Sequence, residues 1–469
     1  MSASAPPGVR AVLTALPAEI VITDPDILPA YAGDQSRLTT RATPAAVVTP
    51  RTTGEVSACL ATAHRHGVPV VPRGAGSGLS GGANPPTDAI VLSLHRMAAI
   101  VETDPANRLI VVQPGVVTGT LRKAAAAVDL YYPPDPGSVE FSTIGGNIAT
   151  NAGGMCCVKY GVTGDFVLGL EVVLADGRIL RTGRRTVKGV AGYDLTHLFV
   201  GSEGTLGVVT EAVLRLVPKP RPPHTLVAPF GTLSDAGQAV AGIIGAGITP
   251  SMLEILDRTT IRAVDRLTRM GLGDDAALLL IQSDDPHAVD ALSEIEQICI
   301  KHAASEVYAT SDPTEGAMLL EARRLALPAL EKLGDWLLDD VSVPRTEIAS
   351  LMARIERISR RSGLTIGVFG HAGDGNLHPT IIYDAGDPAS CDAARTAFDS
   401  IVEEALRLGG TVTGEHGVGR LKRQWLATEL GSVGVATHYA IKAALDPTGI
   451  LNPQAVLVDH TADISRRAP

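Results

Sequence analysis

The sequence predicts an α+β protein built from two unlike halves, and three observations predict it. In the first half, short β-branched strands are joined by long glycine-rich loops. Four prolines then fall between Pro218 and Pro223, a composition that marks a boundary. Beyond them amphipathic helical patterns alternate with apolar strands, as expected for helices layered on an antiparallel sheet.

Residues 44–48 read as a short strand. Residues 54–66 carry Val56, Cys59, Leu60 and Ala63 at helical spacing, and Gly67 supplies the stop. Val68–Val71 is a buried strand by its branched content, followed at once by a glycine loop and then a strand at Ala89–Leu92. Further strands are expected at 109–112, 168–175 and 206–217, with Asp176-Gly177 as a hairpin turn after the second. In the second half helices are expected at 234–246, 257–270, 287–302, 346–361 and 392–408. Strands are expected there at 277–282, 365–369 and 379–383.

A chain of 469 residues, 45% of them hydrophobic, suffices for two or three domains with large cores. The net charge of −10, without a basic run, argues against a nucleic-acid partner. None of the five cysteines forms a Cys-x-x-Cys pair, which excludes the usual zinc knuckle and iron–sulfur patterns. Their odd number suits a reducing compartment. Pro6, Pro7, Arg10, Pro17 and Glu19 make a poor secretory signal. The uncharged run from Ala236 to Leu253 is broken by glycines and Pro250, so it reads as helix and turn, not a membrane span. The expected location is cytoplasmic, peripheral to a membrane only through a partner.

Pro72–Gly82 contains a formal G-x-G-x-x-G from Gly76 to Gly81. A nicotinamide site needs a helix opening directly after that motif. Here Ala83–Asp88 is turn chemistry leading to another strand. The loop reads instead as a nest whose backbone N–H groups converge on an anion such as a pyrophosphate. Small residues recur at Pro133–Ser138 and Thr143–Gly154, and again at Gly201–Gly207. Three such segments suit a large cofactor held in an extended pose.

Gly370–His378 and Thr413–Gly417 together supply three histidines and a carboxylate in two glycine-rich turns. Neutral imidazole and carboxylate are the usual ligands of a divalent transition metal, and a remaining histidine suits a general base. A hairpin turning at Gly373–Asn376 would set His371 and His378 at its neck, facing one another, with Glu415 arriving from the later turn. The pattern points to chemistry on a small hydroxylated or carbonyl substrate.

These segments carry a resemblance. Pro72–Gly82, Pro-Asp-Pro-Gly-Ser at 134–138, Thr-Ile-Gly-Gly-Asn at 143–147 and Gly201–Gly207 resemble the FAD-binding domain of the vanillyl-alcohol oxidase / p-cresol methylhydroxylase type. Gly370–His378, Gly414–Gly417 and Leu445–Pro453 are similar to the C-terminal domain of its D-2-hydroxy-acid dehydrogenase branch. That branch includes D-lactate dehydrogenase, the glycolate oxidase flavin subunit and D-2-hydroxyglutarate dehydrogenase. The resemblance covers about residues 40 to 457 and rests on several independent motifs. It implies an FAD-binding domain of two subdomains at 42–220 after an N-terminal segment, 1–41. It implies an α+β substrate domain with an antiparallel sheet and the metal site at 221–420, and a helical segment, 421–469, returning to the FAD domain.

The resemblance further implies FAD, with the pyrophosphate on Arg73, Gly74, Ala75, Gly76, Ser77 and Gly78. Ser77 stands where some relatives carry a flavin-linking histidine, so noncovalent binding is expected. The ring system is expected near Pro136, Gly137, Ser138, Thr143, Gly145, Gly146, Asn147, Ala149, Asn151 and Gly154. Glu203, Gly204, Gly207, Val209 and Asn452 complete the cofactor set. Where the family often ends its last motif Asn-Pro-Gly-Lys, this chain has Asn452-Pro453-Gln454-Ala455, without the lysine.

By the same resemblance His371, His378 and Glu415 bind a divalent metal, zinc first, with Mn2+ or Fe2+ as alternatives. His416 takes the hydroxyl proton while the Cα hydride passes to flavin N5; the reverse assignment, His416 as ligand and Glu415 as base, fits the sequence as well. Arg323 matches the substrate-carboxylate arginine. Leu338 sits near the place of a lysine that serves a second carboxylate in D-2-hydroxyglutarate dehydrogenases, with Arg345 as a replacement charge. The implied reaction is oxidation of a D-2-hydroxy acid to the 2-oxo acid, D-lactate favoured over glycolate and D-2-hydroxyglutarate. The electrons must go to an external acceptor: a quinone, a cytochrome, an electron-transfer flavoprotein or an iron–sulfur subunit. A homodimer is an assembly option. A flavin-bearing subunit whose main role is assembly with an iron–sulfur partner is the alternative of another class.

Overall fold

A computed structural model describes residues 5–458, so the first four residues of the expected N-terminal segment and positions 459–469 of the expected C-terminal one lie outside the described residues. The first half holds two principal sheets. Strands Val21–Ile22, Ala46–Val48, Ile90–Ser93 and Val70–Arg73 lie in that spatial order, the last three parallel. Helix Thr53–His66 connects two of them. Thr52 Oγ1 accepts the Glu55 N–H at its start, and Gly67 closes it at φ 63°, a left-handed cap a glycine adopts without strain. No helix follows the glycine loop: it runs directly into Ile90–Ser93. The second sheet is antiparallel, in the order Ile100–Asp104, Leu109–Val112, Val208–Arg215, Val167–Val173, Ile179–Gly183.

The second half is one large antiparallel sheet. Its order is Tyr308–Thr310, His224–Phe230, Ala277–Ser283, Met252–Asp257, Ile366–His371, Asn376–Tyr383, Asp335–Leu338, with Val341–Ser342 also paired to Asn376–Tyr383. Helices Leu233–Gly245, Ala288–Lys301, Ile348–Ser362 and Pro388–Arg407 pack on one face through Leu253, Ile255, Leu279 and Ile281. Period-2 alternation sends Met252, Leu256, Leu278 and Phe369 to the other face, against helices Arg258–Thr268, Pro313–Arg324 and Ala326–Glu331. That second face also carries the site. The chain then returns: Asn452 N–H donates to Val70 O at 2.8 Å, and Val70 N–H donates to Ile450 O at 2.8 Å.

One local expectation needs correction. The strand expected at 379–383 begins at Asn376, and the turn shortens to Ala372–Gly375 with Gly375 at φ 79°. His378 therefore lies opposite Phe369 and His371 opposite Asn376, so the two histidines are diagonal neighbours on one face. Asn376 and His378 are polar residues at buried strand positions, which masked the strand pattern.

Candidate active site

A single cavity of about 910 Å³ runs between the two halves, and the glycine loop and the histidine turns both line it. Arg73, Gly74, Ala75, Gly76, Ser77 and Gly78 form one stretch of wall. Pro136, Gly137, Ser138, Gly145, Gly146, Asn147 and Ala149 form another, joined by Glu203, Gly204, Gly207 and Val209. Gly137 lines the cavity, and a Cβ added there would meet nothing within 4 Å. At Gly76, φ is 73° and a Cβ would stand 2.1 Å from the Arg73 guanidinium. Both positions therefore fit a glycine-built cradle for a flat, anionic cofactor.

Four residues expected to touch the cofactor are not among those that line the cavity. Thr143 packs its buried Oγ1 where a Cβ on Gly74 would be, 2.4 Å away. Asn151 caps helix Ile144–Thr150 in the left-handed region and accepts the Gly164 N–H at 2.8 Å. Gly154 presses on Asp135. Asn452 donates to Gly82 O and to Glu203 O, both at 2.7 Å, tying the returning chain to two loops. A motif reveals which residues share a loop but not which of them face the ligand.

At the histidine turns, three imidazoles converge on one carboxylate oxygen. Glu415 Oε1 lies 3.2 Å from His371 Nε2, 3.3 Å from His378 Nε2 and 3.6 Å from His416 Nε2. His378 and His416 stack at 12° with centroids 5.0 Å apart, while His371 stands edge-on to His378. Burial opposes a charge on His371, yet the Glu254 and Glu415 carboxylates raise it well above the ordinary imidazole range. Burial also opposes charge on Glu415, but His371 and the hydrogen bonds of all three imidazoles hold it well below the usual carboxylate range. Burial lowers His378 to about 4, so it is neutral at pH 7 with one ring nitrogen unprotonated and available as a ligand. Burial opposes charge on His416 too, but Asp340 and Glu415 raise it, so the cluster as a whole favours a positive charge at its centre. Two nitrogens and a carboxylate oxygen within 4.8 Å of one another suit a dication, which would supply that charge. The ligand atoms of a second triad, Asp340, His378 and His416, also lie within 4.8 Å of one another. Four of the five hydrogen bonds to Asp340 fall on Oδ2 and tie it to the 413–416 turn, whereas Glu415 Oε1 faces three imidazoles, so the first set fits a metal better.

Arg323 lines the cavity, where the substrate-carboxylate reading needs it. It is buried, its Nε donates to Glu254 Oε2, and its guanidinium lies 4.8 Å from the centre of the Phe369 ring. Leu338 also lines the cavity, whereas Arg345 does not, so no replacement charge reaches it from there. Asn376 donates to Asp340 Oδ1 and to Val341 O and shapes the hairpin, away from the cavity.

Three residues that hold this arrangement escaped sequence reasoning. Glu254 bridges His371 and Arg323. Asp340 gathers the 413–416 turn, and buried Lys422 reaches Asp339 and the carbonyls of Asp340 and Val412. The available signal was a lone charge inside an apolar strand, as in Met252-Leu-Glu-Ile-Leu-Asp257, which is costly unless paired.

The chain is similar to known proteins over most of its length. The pattern described as "FAD binding domain" matches residues 44–183, and "FAD linked oxidases, C-terminal domain" matches residues 219–456. The chain is 47% identical to the glycolate oxidase subunit GlcD of Bacillus subtilis over 87% of this chain and 88% of that protein. It is 37% identical to a D-lactate dehydrogenase of Archaeoglobus fulgidus over 88% of this chain and 91% of that one. Its fold matches p-cresol methylhydroxylase with a TM-score of 0.81, covering 97% of each chain at 19% identity.

Proposed function

This chain belongs to the family of FAD-linked oxidases, and from that premise we propose that it oxidises a small D-2-hydroxy monocarboxylic acid, D-lactate first, to the 2-oxo acid with help from a divalent metal. The protein is an FAD-linked oxidoreductase acting on 2-hydroxy acids. One observation carries the finer reading: His371, His378 and His416 converge on Glu415 in the same cavity that the glycine loop lines.

Bound FAD supplies an acceptor for two electrons, and a dication held by His371, His378 and Glu415 supplies the charge that acidifies the substrate hydroxyl. The remaining work belongs to side chains. Arg323 presents a planar guanidinium to the substrate carboxylate, a geometry that fixes orientation as well as charge. His416 receives the hydroxyl proton; its loop is held from behind by Asp340, so the imidazole keeps its place as the proton arrives. Leu338, Phe369 and Met155 line the cavity near this cluster and exclude water from it. Leu338, at the place where a second carboxylate would need a cation, suits a monocarboxylate with a small apolar substituent, although Arg73, Arg122 and Arg324 also line the cavity.

A glycolate substrate is the second reading, favoured by the 47% identical relative, which is a glycolate oxidase subunit. No Cys-x-x-Cys pair is present for an internal relay, so reoxidation is assigned to an external acceptor or partner subunit. No helix among the described residues is long and apolar enough to cross a membrane.

The test is anaerobic addition of D-lactate, glycolate, D-2-hydroxyglutarate and L-lactate to the purified yellow protein, with the flavin absorbance followed before and after chelation. Bleaching fastest with D-lactate and lost on chelation is expected. Bleaching only by L-lactate, or bleaching indifferent to metal removal, overturns the reading.

A further inference from the structure

Glu254 lies at the centre of the large sheet, on strand Met252–Asp257, with none of its surface exposed. Its neighbours Leu253 and Ile255 face the helical core behind the sheet, so the period of the strand turns Glu254 toward the cavity side. Its two oxygens are divided between two partners. Oε1 lies 2.8 Å from His371 Nδ1, and Oε2 accepts the Arg323 Nε–H. We propose that Glu254 is a positioning residue that couples the metal-holding imidazole to the substrate-holding guanidinium, an inference that rests on the roles given above to His371 and Arg323.

The coupling follows from what a carboxylate can do. An ionised carboxylate only accepts hydrogen bonds. His371 must therefore carry a proton on Nδ1, which leaves Nε2, 3.2 Å from Glu415, as the nitrogen free to hold a metal. The same carboxylate fixes the rotation of the Arg323 plane, already laid over Phe369. One buried anion thus sets the tautomer of a ligand and the aim of the carboxylate-binding fork. A glutamine cannot replace it. With its oxygen toward His371, its NH2 meets the Arg323 N–H; turned around, it forces His371 to place its proton on Nε2.

The test titrates zinc alone into the chelator-stripped, FAD-loaded full chain and its Glu254→Gln and Arg323→Met variants, using a competing chromophoric chelator. Steady-state kinetics on the wild type and Glu254→Gln follow. For Glu254→Gln, zinc affinity is expected to fall about 10–100-fold, and KM for the acid to rise by roughly tenfold. Arg323→Met should weaken zinc binding on the order of tenfold with no substrate present, although Arg323 touches none of the assigned ligands. That variant also carries the zinc measurement if Glu254→Gln fails to fold. Wild-type zinc affinity in every folded variant, even with lowered stability, overturns the coupling while leaving the proposed function standing. A wild-type chain that binds no zinc overturns the metal reading and the coupling together.

Discussion

Asp340 holds His416 by its backbone, accepting the His416 N–H on Oδ2 at 2.9 Å. The same oxygen accepts the N–H groups of Gly414 and Glu415 and the Thr413 hydroxyl, so one buried carboxylate draws four donors into a single turn. Burial opposes its charge, but His416, Lys422 and His378 hold Asp340 well below the usual carboxylate range. Asp340→Asn must place an amide N–H against those donors or against Asn376. We expect a stability loss of about 2–3 kcal/mol, as for an unsatisfied buried polar group, and a displaced base. Thermal unfolding and rapid-mixing flavin reduction measure the two effects; a variant that keeps both values would remove Asp340 from this role.

His416→Gln separates the two assignments of base and ligand. With His416 as base, flavin reduction slows roughly 10²–10⁴-fold while zinc stays bound, because His371, His378 and Glu415 remain. With His416 as ligand, zinc content falls along with the rate. Zinc analysis of the purified variant, set beside its single-turnover rate, decides between them.

What the sequence discloses follows the reach of each interaction. The glycine loops and the histidine turns are legible because local chain chemistry sets them apart: small residues in series between apolar strands, and three imidazoles within 46 positions, His371 to His416. Helices Thr53–His66, Leu233–Gly245, Arg258–Thr268, Ala288–Lys301, Ile348–Ser362 and Pro388–Arg407 show in their apolar spacing, whereas Thr118–Ala126, Ile144–Thr150, Pro313–Arg324 and Ala326–Glu331 do not. Glu254 and Asp340 are not legible in the same way. Glu254 lies 117 positions from His371, and Asp340 lies 76 positions from His416, so only pairing across the sheet and its adjoining turns gives either a function. Thr143 and Asn452 belong to the expected segments but are not among the residues that line the cavity, a distinction that segment membership does not encode.

Gly76 and Gly137 should fail differently when replaced by alanine. Gly76→Ala puts a side chain at φ 73° and against the Arg73 guanidinium, so both the loop and the arginine must move. A left-handed alanine costs roughly 1–2 kcal/mol before any clash. The FAD-free chain should lose stability and retain less flavin. Gly137→Ala has room for its methyl but places it in the cavity wall, so flavin content should fall with the FAD-free melting temperature unchanged. The ratio of flavin to protein absorbance and a melting curve of each deflavinated variant check this; equal flavin content in both and wild type would mean that neither glycine faces the cofactor.

Glu203 should give the protein a stability that falls as pH rises toward neutrality. Burial, aided by the Asp34 charge and opposed by the N–H groups of Val418 and Gly419, raises its carboxyl from 4.5 to about 7. The folded state thus keeps a proton that the unfolded chain has already lost between those values. Wherever the folded state binds more protons, stability decreases with pH. The contribution is full below about 4.5, is lost progressively as pH rises to about 7, and is constant beyond. The span corresponds to about 3 kcal/mol at most, at ~1.4 kcal/mol per pKa unit, and other titrating groups are superposed on it. Glu203→Gln removes this component. Denaturant unfolding of wild type and variant at intervals from pH 4.5 to 7.5 should show the wild-type stability declining relative to the variant across that window. A difference between the two that does not change with pH would mean that Glu203 ionises normally within the fold.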